Sequence, residues 1–93
     1  MLTFHPMSVF RRNSGIEEAP LQGELMLFDP VSAKFFVLNT TMAFLWRNCD
    51  GTRALDEIAT ALADEYEGVD LSTAERDLSA AAGELFSLGL LLA

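Results

Sequence analysis

Apolar residues in the first forty positions fall into short runs bounded by turn-forming residues, a pattern that predicts β-strands. The predicted strands cover residues 8–12, 24–28 and 34–38. Asp29-Pro30 begins a short turn, because Asp can bond the local backbone and Pro fixes φ. The last two strands therefore form an antiparallel hairpin. The segment 13–23, which holds two glycines and a proline, predicts a loop.

From residue 39 onward the apolar positions repeat with the helical period and predict three helices. Asn39 is a suitable N-cap for the first, Thr52 for the second, and Ser72 with Glu75 forms a capping-box pattern for the third. The apolar stripes are Met42, Leu45, Trp46 and Cys49, then Leu55, Ile58, Ala59, Leu62 and Tyr66, then Ala74, Leu78, Ala81, Leu85 and Leu88. The chain therefore predicts an α+β fold with a three-stranded antiparallel sheet followed by three helices.

The 93 residues allow one small domain, which we assign to residues 1–93 with residues 1–7 expected to be mobile. The longest apolar runs have about six residues, far below the roughly 20 that span a bilayer. The N-terminus lacks the basic start and apolar run of a secretory signal. A cytoplasmic protein is therefore expected.

The net charge of −8 lies entirely in the second half of the chain. Residues 1–49 carry four acidic and four basic residues, whereas residues 50–93 carry ten acidic and two basic residues. Nucleic-acid binding takes most of its affinity from cations that neutralise phosphates, so the acidic helices disfavour it. An anionic membrane surface is disfavoured for the same reason. A neutral or basic peptide or protein is the favoured partner.

The sequence contains no recognisable catalytic, metal or cofactor site. The single histidine, His5, and the single cysteine, Cys49, cannot supply a nucleophile-and-base constellation, because Cys49 lies on the apolar stripe of a helix. The pairs Asp56-Glu57 and Asp64-Glu65 point about 100° apart on a helix and are typical of solvated faces. The expectation is a protein that is not an enzyme and needs no cofactor or metal.

The third predicted strand is unusual because Phe35, Phe36, Val37 and Leu38 are apolar in succession. Successive strand residues point to opposite faces, so a sheet with one face in water normally alternates. Three explanations remain open on the residues alone. The N-terminal segment or the third helix covers the second face, a homodimer covers it, or the strand is an open edge beside an apolar groove that a peptide completes by strand addition.

A set of residues occurs in a fixed order along the chain: Phe36-Val37-Leu38-Asn39, Trp46, Asp50-Gly51, Ile58, Leu62, Tyr66, Asp77, Leu85 and Gly89-Leu90. This set resembles the pattern of PqqD-like proteins, also called RiPP recognition elements, and the resemblance covers roughly residues 8 to 92. The resemblance implies a small winged helix-turn-helix. It also implies binding of the leader segment of a ribosomally synthesised precursor peptide, which is presented to a modifying enzyme such as a radical SAM protein, a cyclase or a protease.

In that family the leader adds as an antiparallel strand on the third strand and contacts the third helix. Carried onto this chain, the resemblance implies an edge formed by Lys34, Phe35, Phe36, Val37 and Leu38, and a groove wall formed by Asp77, Ala81, Glu84 and Leu88. A hydrophobic leader anchor would suit the side of Phe35 or Val37, although either alternate set can face the groove. The long segment 13–23 departs from the family pattern and could cover the edge or add a partner contact.

Two other functions are compatible with the same predicted elements. One is a winged-helix DNA-binding or regulatory protein, which the acidic helices disfavour because a groove-reading helix is expected to be basic. The other is an oligomerisation module, in which a homodimer covers the apolar strand.

The charge distribution makes the DNA-binding alternative testable. Duplex DNA should show no measurable binding in a gel shift at about 150 mM salt, because the acidic half repels phosphates. Micromolar affinity with a steep salt dependence would contradict the peptide-binding hypothesis.

Overall fold

The structure, a computed structural model, describes residues 5–22 and 24–93. These residues form six strands and three helices in a small α+β fold. In chain order they are β1 (Val9–Arg12), β2 (Glu17–Leu21), β3 (Glu24–Asp29), β4 (Lys34–Leu38), α1 (Thr40–Asn48), β5 (Asp50–Ala54), α2 (Leu55–Glu65), α3 (Leu71–Ser87) and β6 (Leu91–Leu92). The predicted fold class, with three helices and a three-stranded antiparallel sheet, is confirmed.

The membership of that sheet differs from the prediction. Its strand order is β2-β3-β4, so the predicted loop 13–23 supplies a strand, and β1 lies elsewhere. β2 pairs with β3 from Glu17↔Phe28 to Leu21↔Glu24, with two residues between the strands. Two acids and a proline make β2 a weak strand by propensity. It forms because an edge strand tolerates Pro and a short turn joins it to β3.

The predicted first strand belongs to a second sheet of order β5-β1-β6. β1 pairs with the predicted apolar tail through Arg11↔Leu92 and Arg12↔Leu91. On its other side, Val9 pairs with Ala54. The tail and the segment after α1 showed no strand pattern, because one is two residues long and the other is polar. Tertiary pairing with β1 determines both.

One of the three predicted N-caps is confirmed, and the other two helices begin at residues other than those predicted. Asn39 caps α1 as predicted, since its Oδ1 accepts a hydrogen bond from the backbone N–H of Met42 at 2.9 Å. Thr52 does not cap α2, because it lies in β5. Instead Glu57 accepts from the N–H of Ala54 at 3.2 Å.

The N-cap of the third helix lies two residues before the predicted cap, Ser72. Asp70 Oδ1 accepts a hydrogen bond from the Thr73 N–H at 2.7 Å, so Asp70 is the N-cap. This bond lowers the pKa of Asp70. The cap therefore stabilises the fold above the ordinary carboxyl pKa, and its contribution is lost as the pH falls through the lowered value.

The core lies between the helices and the inner face of the β2-β3-β4 sheet. Trp46, Leu62 and the remaining stripe residues are buried with few exceptions. Leu25, Leu27 and Leu38 complete the core from the sheet, against which α1 packs. Two predicted stripe residues are exposed. Tyr66 follows the last residue of α2, and Leu88 follows the last residue of α3.

The expected mobility of residues 1–7 stays a prediction. Residues 1–4 and Gly23 lie outside the described residues. Of the remaining N-terminal residues, Pro6 contacts the start of α2, where its carbonyl accepts a hydrogen bond from the Asp56 N–H at 2.9 Å. Within the described part of the chain, no helix is long and apolar enough to cross a membrane.

The C-terminal strand makes the fold testable, because Leu91 is completely buried beside β1. Leu91→Ala should lower the free energy of unfolding by about 2–5 kcal/mol through lost burial and a cavity. Leu88→Ala is the matched control, since Leu88 is 45% exposed and should change stability by less than about 0.5 kcal/mol. Urea unfolding followed by circular dichroism measures both, and equal losses would contradict the burial of β6.

Candidate functional site

One edge of the β2-β3-β4 sheet is free of any other strand of the described chain. β4 pairs on one side with β3, from Leu25↔Leu38 to Asp29↔Lys34. On its other side no strand among residues 5–22 and 24–93 pairs with it. A free edge presents a row of N–H and C=O groups that another extended chain can bind. This is the edge that the resemblance implied, here in the fourth strand.

The β3–β4 hairpin indicates which groups of β4 point to that edge. Its four-residue loop ends on Ala33, which has a left-handed φ of 58°. The pair that closes such a loop is hydrogen-bonded, and hydrogen-bonded and non-hydrogen-bonded pairs then alternate along the ladder. Counting from the closing pair Asp29–Lys34, Phe35 and Val37 direct their N–H and C=O groups away from β3. An incoming strand would therefore bond to these two residues.

The side chains of β4 divide between two faces. Leu38 is buried and Phe36 is half-buried against the core, on the face that meets the helices. Phe35 and Val37 point to the opposite face and are 62% and 56% exposed. The strand thus alternates in burial although its sequence is apolar without a break from Phe35 to Leu38. Of the two alternate sets left open by the sequence, Phe36 and Leu38 share the helix side of the sheet.

A groove lies at the carboxyl end of β4, between the start of α1 and the middle of α3. It encloses a cavity of about 290 Å³. Its lining residues are Asn39, Thr41 and Met42 from the start of α1 and Asp77, Ala80, Ala81 and Glu84 from α3. Because Ala80 and Ala81 have small side chains, the α3 side of the groove leaves room for a side chain of a bound partner. The groove and the free edge are adjacent because Asn39 directly follows β4.

The structure brings three of the four predicted wall residues into this groove. Asp77, Ala81 and Glu84 line it, whereas Leu88, beyond the end of α3, does not. Asn39, Thr41 and Met42 were missed by the sequence prediction. The sequence does contain a signal for these three residues. Only Asn39 connects β4 to α1, so the first turn of α1 has to lie beside the strand.

The groove carries negative charge. Asp77 and Glu84 are seven residues apart on α3, so they lie on one face about 10 Å apart. Among the described residues, no lysine or arginine lines the cavity. The nearest described ion pair joins Arg76 Nε to Asp77 Oδ1 at 3.8 Å, between two exposed side chains, and contributes little in water. A cationic or neutral side chain is therefore accommodated better than an acidic one.

Cys49, which follows α1, is buried and does not face this groove. Burial raises the pKa of its thiol to about 12, an effect that the nearby Arg12 only partly opposes. The thiol is therefore protonated at neutral pH and serves as a small apolar residue of the core. Within the described ranges, no three His, Cys, Asp or Glu residues are placed to hold a metal ion.

The chain is similar to known proteins over most of its length. The family described as coenzyme PQQ synthesis protein D (PqqD) matches residues 24–91. The solved structure of TbiB1 in complex with the TbiA(beta) leader peptide shares 26% identity and a TM-score of 0.75, covering 87% of this chain and 93% of that chain. A lasso peptide synthetase B1 complexed with the leader peptide shares 29% identity and a TM-score of 0.79, covering 92% and 100%. No curated protein matches the sequence.

The environment of Cys49 gives a direct test of the core beside this site. The folded protein should resist alkylation by iodoacetamide at about pH 8, because the thiolate is the reactive form and both burial and the raised pKa suppress it. The same protein in guanidinium chloride should react fully, as mass spectrometry would show. Rapid labelling of the folded protein would contradict this placement.

Proposed function

The chain belongs to the PqqD family, and we propose that it binds the leader segment of a ribosomally synthesised precursor peptide and presents it to a modifying enzyme. The observation that carries this proposal is the free edge of β4 beside the groove on α3. It is the place where the family resemblance puts the leader. The two similar structures, each a complex with a leader peptide, support the same function.

The leader binds by adding a strand to β4. Its backbone exchanges hydrogen bonds with the outward N–H and C=O groups of Phe35 and Val37, which supply affinity that depends little on sequence. Because side chains alternate along a strand, every second leader residue points to the helix side of the sheet. We expect those nearest the carboxyl end of β4 to enter the groove between the start of α1 and the middle of α3, whose side chains supply specificity.

The groove selects its occupant by size and charge. Ala80 and Ala81 leave space for an apolar leader side chain, and Met42 on the opposite wall can adapt its shape to that side chain. Asp77 and Glu84 favour a leader segment with a lysine or arginine in reach of α3 and disfavour an acidic one. The apolar anchor thus belongs on the side of Phe36 and Leu38 rather than on the side of Phe35 or Val37.

The role is that of an adaptor without its own chemistry. The family resemblance implies a non-catalytic peptide-binding partner, so the proposal assigns this chain no reaction of its own. The resemblance implies that the enzyme that receives the leader is a radical SAM protein, a cyclase or a protease. The similarity to a lasso peptide synthetase B1 favours lasso peptide synthesis among the pathways that use such adaptors.

A proline in β4 tests strand addition. Val37→Pro should leave the fold intact, because its N–H points to the free edge and proline is tolerated there. It should weaken leader binding about 5- to 150-fold, since one ladder bond is lost and a leader carbonyl is left without a donor. Fluorescence anisotropy with the labelled leader of a candidate precursor peptide measures the affinity.

Val37→Thr is the matched control, because it keeps the β-branched shape and the N–H. It should bind the leader with nearly wild-type affinity. A folded Val37→Pro protein that also binds as tightly as the wild type would show that the leader does not add to this edge.

A further inference from the structure

The face of the β2-β3-β4 sheet that points away from the helices is apolar and is not used by the groove. The pairing register aligns two rows of side chains across the strands. We call this surface the outer face, and define it by Ala19, Met26, Phe28, Phe35 and Val37. Phe35 and Val37 are more than half exposed and the other three are half-buried. Contiguous exposed apolar surface is one of the features that mark a protein interaction site.

The outer face is partly organised before any partner binds. Ala19, Met26 and Val37 form one row across the three strands, and Phe28 and Phe35 form the neighbouring row. The rings of Phe28 and Phe35 lie 4.5 Å apart between centroids, tilted by 33°. This aromatic contact holds two large side chains in place, so a partner would not have to order them on binding.

We propose that the outer face is the surface on which the modifying enzyme docks, and that the bound leader strand enlarges it. This inference rests on the proposed leader binding at β4. A leader strand added to β4 extends both rows, because its outward side chains lie about 5 Å from Phe35 and Val37. The enzyme therefore contacts the adaptor and the leader on one continuous surface.

The small area of the outer face favours a partner that binds the adaptor together with its leader strand. Three strands at about 4.8 Å spacing, each about 18 Å long, give a face of about 250 Å², which is small against the roughly 800 Å² that each partner buries in a stable complex. A fourth strand widens the face and adds the leader's own side chains. The enzyme should consequently bind the leader-loaded adaptor more tightly than the empty one.

Charge distinguishes this occupant from a second copy of the chain. Glu17 lies in the same row as Phe28 and Phe35, at the end away from β4, and is exposed. Glu24 lies on the same face in the row of Leu21 and is also exposed, so two copies that met through this face would bring four carboxylates to one interface. The complementary partner has an apolar patch with a lysine or arginine placed to meet Glu17.

Met26→Lys tests the docking surface without changing the leader edge. Met26 lies on the central strand of the outer face and is not part of β4. The matched control is Val31→Lys, because Val31 is an apolar residue 93% exposed in the β3–β4 turn, outside the outer face. The binding probes are the labelled leader of a candidate precursor peptide and the purified enzyme that modifies that precursor.

Met26→Lys should bind the leader within about twofold of wild type, and its loaded form should bind the enzyme at least tenfold more weakly. Val31→Lys should match wild type in both measurements. The wild-type adaptor without leader should bind the enzyme at least tenfold more weakly than with leader. If Met26→Lys fails to fold by circular dichroism, Ala19→Lys on the edge strand β2 makes the same test.

The outcomes separate this inference from the proposed function. Leader binding by the wild type together with unchanged enzyme affinity in Met26→Lys overturns the docking surface alone. A wild-type dimer in analytical ultracentrifugation that Met26→Lys converts to a monomer, with enzyme affinity unchanged, assigns the outer face to a second copy. Failure of the wild type to bind the leader at all overturns the proposed function, and the inference with it.

Discussion

Five residue pairs, from Leu25–Leu38 to Asp29–Lys34, hold β3 and β4 in one register, and each surface of the sheet depends on that register. A slip by one residue would turn Leu25 and Leu27 to solvent and Met26 and Phe28 to the core. The turn that sets the register is built from local interactions. Asp29 Oδ1 accepts a hydrogen bond from the Val31 N–H at 3.0 Å, and Ala33 closes the loop in a left-handed conformation.

The register also explains how β4, which is apolar from Phe35 to Leu38, contributes side chains to both faces of the sheet. Phe36 and Leu38 join the core, while Phe35 and Val37 face outward. At the same residues, the backbone alternates between groups bonded to β3 and groups directed to the free edge. One five-residue strand thus supplies core packing, a line of unpaired backbone groups and exposed apolar side chains. For this reason its sequence departs from the alternation expected of a half-exposed strand.

The sequence predicted those features that depend on local pattern. The three helices, the cap at Asn39, the burial of Trp46 and the β3–β4 hairpin all follow from periodicity and turn chemistry over a few residues. The partners of β1 did not follow, because they come from residues about 40 and 80 positions further on. β2 was missed for a different reason, since its edge position tolerates a composition that resembles a loop.

A protein of this size cannot enclose a peptide, so its recognition surface has to be an edge and a shallow groove. An open edge can also pair with the same edge of a second copy, which would compete with a leader. Charge affects these two occupants differently. Asp77 and Glu84 line the groove beside the edge, and the helical half carries the whole net charge of −8. A second copy brings the same charge, so the acidity disfavours pairing between copies at this edge more than it disfavours a neutral or basic leader. The acidic residues that disfavour DNA binding are therefore also expected to favour a leader over a second copy at β4.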